Sequence, residues 1–312
     1  LAERWAARGG GLFEVQGDLR EAALEVVLAV AFGGAGPGAG RALGAELRDI
    51  YGGVTRAFED LLGVPPSTWW LLRRRRAREL DAAAGRLNRL LAPALRRRRE
   101  APAGTAARCL LDLLVDDGMP DGAVLLNALQ ILGAGHDTTA TSLAMLLWQL
   151  SGDAPLQDAV RRELRAPGEH PLLSACVRET LRLWPAAPLV VRQACEQAPP
   201  WRGLRIPVGT VAIVCPWLLG HSSEMWKDPH LFRPQRFLED PAGGGAGHRF
   251  SFVPFGYGLR SCVGQHLAMA ELRLFASALL PRFVFSAAEP PIVEWFLTLR
   301  LKQGLQLHLQ EV

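Results

Sequence analysis

One cysteine is set apart by its neighbours. Cys262 lies in the run Phe255-Gly256-Tyr257-Gly258-Leu259-Arg260-Ser261-Cys262-Val263-Gly264, where three glycines permit tight bends and close approaches that a side chain would forbid. Phe255 is an apolar lid, and Arg260 places a cation two residues from the sulfur. From residue 263 the apolar positions Leu267, Ala270, Leu274 and Leu280 suggest an amphipathic helix. Cys262 then falls at or near its N-terminus, where free N–H groups and the helix dipole favour the thiolate form. A thiolate raised on a bent loop can ligate a metal. Outside such a setting, a lone cysteine reads as a small buried hydrophobe.

Two other polar groups interrupt apolar helical stretches. Glu179 and Arg182 stand three apart in a segment ended by Pro185, so they share a helix face; alone, such a pair is commonplace on a solvated helix. Asp137-Thr138-Thr139 breaks an apolar stretch over 124–150 that is too interrupted by polar residues to be a membrane span. The bland account of that cluster is a polar patch on a helix face. A threonine hydroxyl there can also bond back to a carbonyl one turn earlier, opening the helix locally and holding a water.

The cysteine loop fits Phe-x-x-Gly-x-Arg-x-Cys-x-Gly at every fixed position. It resembles the haem-ligand signature of the cytochrome P450 family, the haem-thiolate monooxygenases. Glu179-Thr180-Leu181-Arg182 resembles the family's Glu-x-x-Arg pair, and Arg236, in Phe232-Arg233-Pro234-Gln235-Arg236-Phe237, its third partner. Ala134-Gly135-His136-Asp137-Thr138-Thr139 is similar to the signature of the family's long central helix.

The resemblance implies a mainly α protein with a minor β region: a cytochrome P450 fold, N-terminally truncated. One partial domain is expected over 1–312, helix-rich over 1–188 and mixed β and loop with the haem-binding part over 189–312. The likeness runs from about residue 15 to the C-terminus. The family's first helices, most of an early sheet and a helix holding one haem propionate are expected to be absent.

By the same resemblance, Cys262 is the axial thiolate of haem b, Phe255 packs near its sulfur and tunes it, and Gly264 belongs to the haem-binding loop. Arg192 and Arg260 pair with haem propionates. Asp137 and Thr138 manage proton delivery, and Glu179, Arg182 and Arg236 form a structural brace behind the haem loop. Ala134, Thr138, Leu189, Val190, Phe296 and Leu297 are expected to meet a small, largely apolar organic substrate, with Ala134 and Gly135 leaving space for it and for dioxygen. Two electrons from a reductase or ferredoxin and one O2 would then place a hydroxyl on carbon, the cofactor carrying the hard chemistry. Other readings stay open: a non-catalytic or inactive truncated haem protein, and a peroxide-rearranging haem-thiolate enzyme. A metal hydrolase built on His136-Asp137, or on Cys262 with His266, lacks the further ligands a closed site needs.

Composition bounds the remainder. The chain has 312 residues, 49% of them apolar, enough to bury a large core. Net charge is only +4 despite arginine runs at 73–76 and 96–99. Neither run is interleaved with aromatics as a nucleic-acid stacking surface would be, so both read as solvated helix faces and no nucleic-acid partner is expected. Cys109, Cys176, Cys195, Cys215 and Cys262 include no Cys-x-x-Cys pair, which argues against a zinc site or a disulfide framework and for a reducing compartment. An intracellular location is expected, and the resemblance leaves open whether it is cytoplasmic or attached to the endoplasmic-reticulum membrane through an N-terminal segment outside this sequence.

The elements that must position these groups follow from periodicity and punctuation. Helical spacing covers 19–33, a glycine-rich break 33–40, and further helices 42–62 and 69–99, with a linker at 101–105. After residue 189 the texture changes. Residues 204–206, a turn at 207–209 and residues 211–214 read as a hairpin, and Leu305, Leu307 and Leu309 alternate with polar residues as a terminal strand. Residues 242–247 form a glycine-rich loop.

Overall fold

The structure is a computed structural model that describes residues 1–33, 53, 69–102, 104–197, 199–200, 202–240, 248, 250–287, 289–295 and 298–312. The expected break at 33–40 beyond its first residue, the helix at 42–62 apart from residue 53, and the loop at 242–247 lie outside the described residues, as do Phe296 and Leu297. The helices are α1 (Ala2–Ala7), α2 (Gln16–Phe32), α3 (Trp69–Arg99), α4 (Leu110–Asp116), α5 (Asp121–Ser151), α6 (Ala154–Leu164), α7 (Pro171–Leu183), α8 (Pro216–Gly220), α9 (Gln235–Glu239) and α10 (Gln265–Leu279). The strands are β1 (Gly11–Glu14), β2 (Val190–Gln193), β3 (Val211–Val214), β4 (Phe283–Ala287), β5 (Val293–Trp295), β6 (Leu299–Leu301) and β7 (Gln306–Glu311). Helix dominates, with strands confined to short antiparallel pairs and one three-stranded sheet. The chain divides into two compact units, one made of Leu1–Leu19 with Thr138–Val312 and the other of Arg20–Asp137.

The first unit is organised around the sheet β1-β7-β4. Its strands pair antiparallel, with Phe13 opposite Leu307 and Phe285 opposite Leu309. The alternation read for the terminal strand is realised: Leu307 and Leu309 are buried while Gln306 and His308 are exposed. Trp5 closes this face edge-on, its ring 6.1 Å from Phe283 and 6.3 Å from Phe285, an arrangement that suits the ring quadrupoles. Gln157 of α6 completes the edge of β4. It donates to the Phe285 carbonyl at 3.0 Å and accepts from the Phe285 N–H at 2.9 Å, as a neighbouring strand would.

Glu14 then starts α2 by accepting the N–H groups of Gln16 and Gly17 at 2.9 and 3.1 Å, two donors that a helix start otherwise leaves without partners. Gly304 must be glycine for this to happen. A Cβ there would lie 2.3 Å from Glu14 Oε1, and its φ is +70°.

Strand β3 pairs with β2, Val190 facing Val214 and Gln193 facing Val211. The expected partner, 204–206, forms no continuous strand. The local hairpin signal around Pro207-Val208-Gly209 was outweighed by pairing with a more distant strand rich in β-branched residues.

The second unit is a helical cluster. Leu24, Val27, Leu28, Ala31 and Phe32 of α2 pack with Leu91 and Leu95 of α3, Leu111 and Val115 of α4, and Val124, Ala128 and Leu132 of α5. Part of the arginine run at 96–99 is tied down: Arg98 pairs with Asp116, and Arg99 with Asp121 at 2.9 Å. The side chains at 73–76 lie outside the described residues.

Candidate functional site

The Cys262 loop is shaped by its glycines. Gly256 and Gly258 take φ of +71° and +76°, values that suit glycine. They allow the chain to fold back so that Cys262 N–H donates to the Phe255 carbonyl at 2.9 Å. A single 3-10 turn, Gly258–Arg260, follows the second glycine. Gly264 is the N-cap of α10, and its carbonyl accepts from Ala268 N–H at 2.8 Å. Cys262 thus precedes the helix by three residues, as the sequence spacing suggests, and its side chain is exposed. So are Leu259 and Val263, at 105% and 93%.

Arg192, at the exposed end of β2, donates to the Arg260 carbonyl at 3.4 Å, which brings two guanidinium groups to the same loop. Among the described residues neither forms an ion pair. An exposed thiol, two cations without a carboxylate partner among the described residues and bare apolar side chains suit a flat apolar ligand that carries a soft metal and carboxylate arms, and haem is such a ligand.

The helix that carries the loop is rotated relative to its expected phase. Its buried positions are Glu271, Leu272, Ala276 and Leu279, while Leu274, read as inward-facing, is 70% exposed. A stripe of Leu267, Ala270 and Leu274 and one of Leu272, Ala276 and Leu279 are both apolar at helical spacing, so periodicity alone could not choose.

Glu179, Arg182 and Arg236 are brought together. Arg182 grips Glu179 with two parallel bonds, Nε to Oε2 at 2.8 Å and Nη2 to Oε1 at 2.9 Å. Arg236 Nε adds a third at 3.0 Å, and the backbone N–H of Arg233 a fourth at 2.8 Å. Glu179 and Arg182 are completely shielded at their side chains, and Arg236 is 8% exposed. One carboxylate faces two cations, so carbonyls carry the excess positive charge. Arg182 also donates to the Gly220, Pro229 and Leu231 carbonyls, and Arg236 to those of Lys227 and Asp228. Buried ions persist only when their remaining hydrogen-bonding capacity is filled in this way. Gly220 is required by close packing, since a Cβ there would lie 2.2 Å from the Arg182 carbonyl oxygen.

Asp137 and Thr138 lie in α5, with the boundary between the units falling between them. The Asp137 carboxylate is held by Arg20 of α2, Nε to Oδ1 at 2.7 Å. The neighbouring Gly135 does not leave open space. A Cβ there would come within 2.9 Å of Val27 Cγ2, so the glycine admits a side chain of α2, which corrects the expectation of room for substrate at that position. Ala134 belongs to the second unit, and Leu189 and Val190 to the first. His136 is buried, with Nδ1 at 2.8 Å from the Leu132 carbonyl. Among the described residues no three His, Cys, Asp or Glu side chains gather as a metal cluster.

Two residues of consequence were missed from sequence. Arg20 is 117 residues from its partner, and nothing local marks it. Glu271 is 4% exposed; one oxygen accepts a bond from the Thr139 hydroxyl, and Oε1 has no partner among the described residues. Burial pushes its pKa up to about 7, with the Thr139 bond opposing the shift. A carboxyl four residues after Leu267 and three before Leu274, on an otherwise apolar face, was the available signal. All five cysteines are free, Cys109 and Cys176 buried, Cys215 half-buried, and Cys195 and Cys262 exposed.

Comparison with known proteins agrees with these motifs. Residues 1–308 match the family model for cytochrome P450. Cytochrome P450 4X1 of Rattus norvegicus is 34% identical over 193 residues, covering 57% of this chain and 38% of that protein. Steroid 17-alpha-hydroxylase/17,20 lyase of Ictalurus punctatus is 34% identical over 180 residues, 54% of this chain and 35% of its own. Mitochondrial sterol 26-hydroxylase of Mus musculus is 32% identical over 173 residues, 51% and 32% respectively. The matched segments therefore span about a third of the length of these relatives. With the family model covering nearly every residue, and the cysteine loop and the Glu-Arg-Arg cluster both in place, this chain belongs to the cytochrome P450 family.

Proposed function

We propose that the chain is the catalytic part of a haem-thiolate monooxygenase that places one oxygen atom from O2 into a small apolar organic substrate, using electrons from a reductase or ferredoxin. The observation that carries this reading is the exposed Cys262 thiol on its glycine-turned loop beside Arg192 and Arg260. The names of two relatives, a steroid 17-alpha-hydroxylase and a sterol 26-hydroxylase, support insertion of a hydroxyl group and an apolar substrate.

In this proposal Cys262 ligates the haem iron, Phe255 and Gly264 hold the loop that presents it, and Arg192 and Arg260 pair with the propionates. Haem, when bound, supplies the activation of dioxygen. Asp137 and Thr138 deliver protons from solvent, Thr138 by holding a water at its hydroxyl. Ala134, Leu189 and Val190, with Phe296 and Leu297, contact the substrate. Glu179, Arg182 and Arg236 keep the segments behind the loop in place. Among the described residues no helix is long and apolar enough to cross a membrane.

The test is the carbon monoxide difference spectrum of the reduced, haem-loaded protein. A red-shifted Soret band of the thiolate type is expected, and Cys262→Ala should abolish it; failure to take up haem would sink the reading for this chain. Thr138→Ala should keep the band while diverting reducing equivalents to hydrogen peroxide, whereas normal coupling in that variant would remove Thr138 from proton delivery. A second reading, a haem-binding but non-catalytic fragment, is favoured by the matched segments' short share of the relatives. It would show the band with no product from any apolar substrate.

A further inference from the structure

The carboxylate of Asp137 is held by a residue that none of the motifs contains. Arg20 donates Nε–H to Asp137 Oδ1 at 2.7 Å, and the two side chains are 28% and 24% exposed. Such a pair is screened less than one in open solvent. It is also pre-arranged. Val27, seven residues along α2 from Arg20, fits against Gly135, two residues before Asp137 on α5. The two helices are therefore in register before the side chains meet, which lowers the entropy lost in forming the pair. The other titratable groups beside these residues on the two helices are Glu21 and His136, the latter bonded to the Leu132 carbonyl.

We propose that Arg20 is a positioning residue for proton delivery. It fixes the Asp137 carboxylate through Oδ1, so that Oδ2 is the oxygen that takes a proton from water and passes it on toward Thr138. The inference rests on reading Asp137 and Thr138 as the proton-delivery pair. A guanidinium stays protonated at any working pH, so Arg20 cannot carry the proton itself. It acts through the geometry and charge of its partner.

The experiment is a double-variant cycle with two readouts. In the haem-loaded protein supplied with electrons, the share of reducing equivalents lost as hydrogen peroxide and the solvent kinetic isotope effect on turnover are measured. Arg20→Gln should raise the peroxide share on the order of 10-fold and enlarge the isotope effect with KM unchanged, and Arg20→Lys should recover most of the loss. In an Asp137→Asn background, Arg20→Gln should add nothing. In the haem-free protein the urea midpoints of the two single variants and the double should be non-additive, as they are for groups in contact. A raised peroxide share in Asp137→Asn but not in Arg20→Gln overturns the role of Arg20 and leaves Asp137 in place. No change in either variant overturns the Asp137 reading and this inference with it, and additive urea midpoints overturn the ion pair on which the inference stands.

Discussion

Burying Glu271 to 4% exposure disfavours its charged form, and the bond from the Thr139 hydroxyl only partly offsets the lost hydration. With its pKa pushed up to about 7 from 4.5, the folded chain holds this proton where the unfolded chain has released it. Folding stability is therefore unaffected below about pH 4.5, falls as pH rises toward 7, and levels off above. The loss is on the order of 2 to 3 kcal/mol. Urea midpoints of the haem-free protein at pH 5 and pH 8 should differ accordingly, and Glu271→Gln should flatten the difference; an unchanged slope would mean that the carboxyl is already ionised in the fold. The Glu179 cluster carries the opposite charge imbalance. Glu179→Ala strands two buried guanidinium groups, and a cost of about 3 to 5 kcal/mol in urea unfolding is expected. Truncating one carboxylate should be worse than truncating Arg236, which leaves the two-bonded Arg182–Glu179 pair intact.

At the scale of elements, the approach of α2 to α5 depends on an absent side chain. Gly135→Ala would press a methyl group against Val27, and overpacking of this kind costs about 1 to 3 kcal/mol. Val27→Ala makes room for it, so the two substitutions together should be less destabilising than their sum by chemical denaturation. The same contact shows what the sequence could convey about this region. The helix over 124–150 was legible from its long apolar stretch, and the polar Asp137-Thr138 interruption from residue type, whereas Gly135 looked like empty space. A glycine in a helix marks a close approach without naming what approaches, and Val27 is 108 residues away. Strand β3 repeats the lesson, since its own composition was readable but its partner β2 was not. Glu179, Arg182 and Arg236 could be picked out only through their likeness to the family's motifs, because an i,i+3 Glu-Arg pair by itself reads as a solvated helix face. Their five carbonyl partners carry no side-chain signature at all.

At the scale of the molecule, the apolar cluster built on Leu24, Val27, Leu111 and Leu132 lies wholly within one compact unit, and the three-stranded sheet and the Glu179 cluster within the other. Leu132 is completely buried, so Leu132→Ala should cost about 2 to 5 kcal/mol. If the units open independently, amide exchange should quicken in residues 20–137 for this variant and in residues 138–312 for Glu179→Ala. Uniform acceleration in either case would mean that the chain opens as one cooperative body.

The unequal burial of the five free cysteines gives the chain a built-in gauge. A bulky thiol reagent should label Cys195 and Cys262 at once and Cys215 more slowly, leaving Cys109 and Cys176 untouched until unfolding, because burial raises the pKa of both and so suppresses their reactive form. Loading with haem should subtract one fast-labelling site, Cys262. A count of rapidly modified sulfurs thus reports both the integrity of a preparation and the fraction of it that has taken up its prosthetic group, before any turnover is attempted.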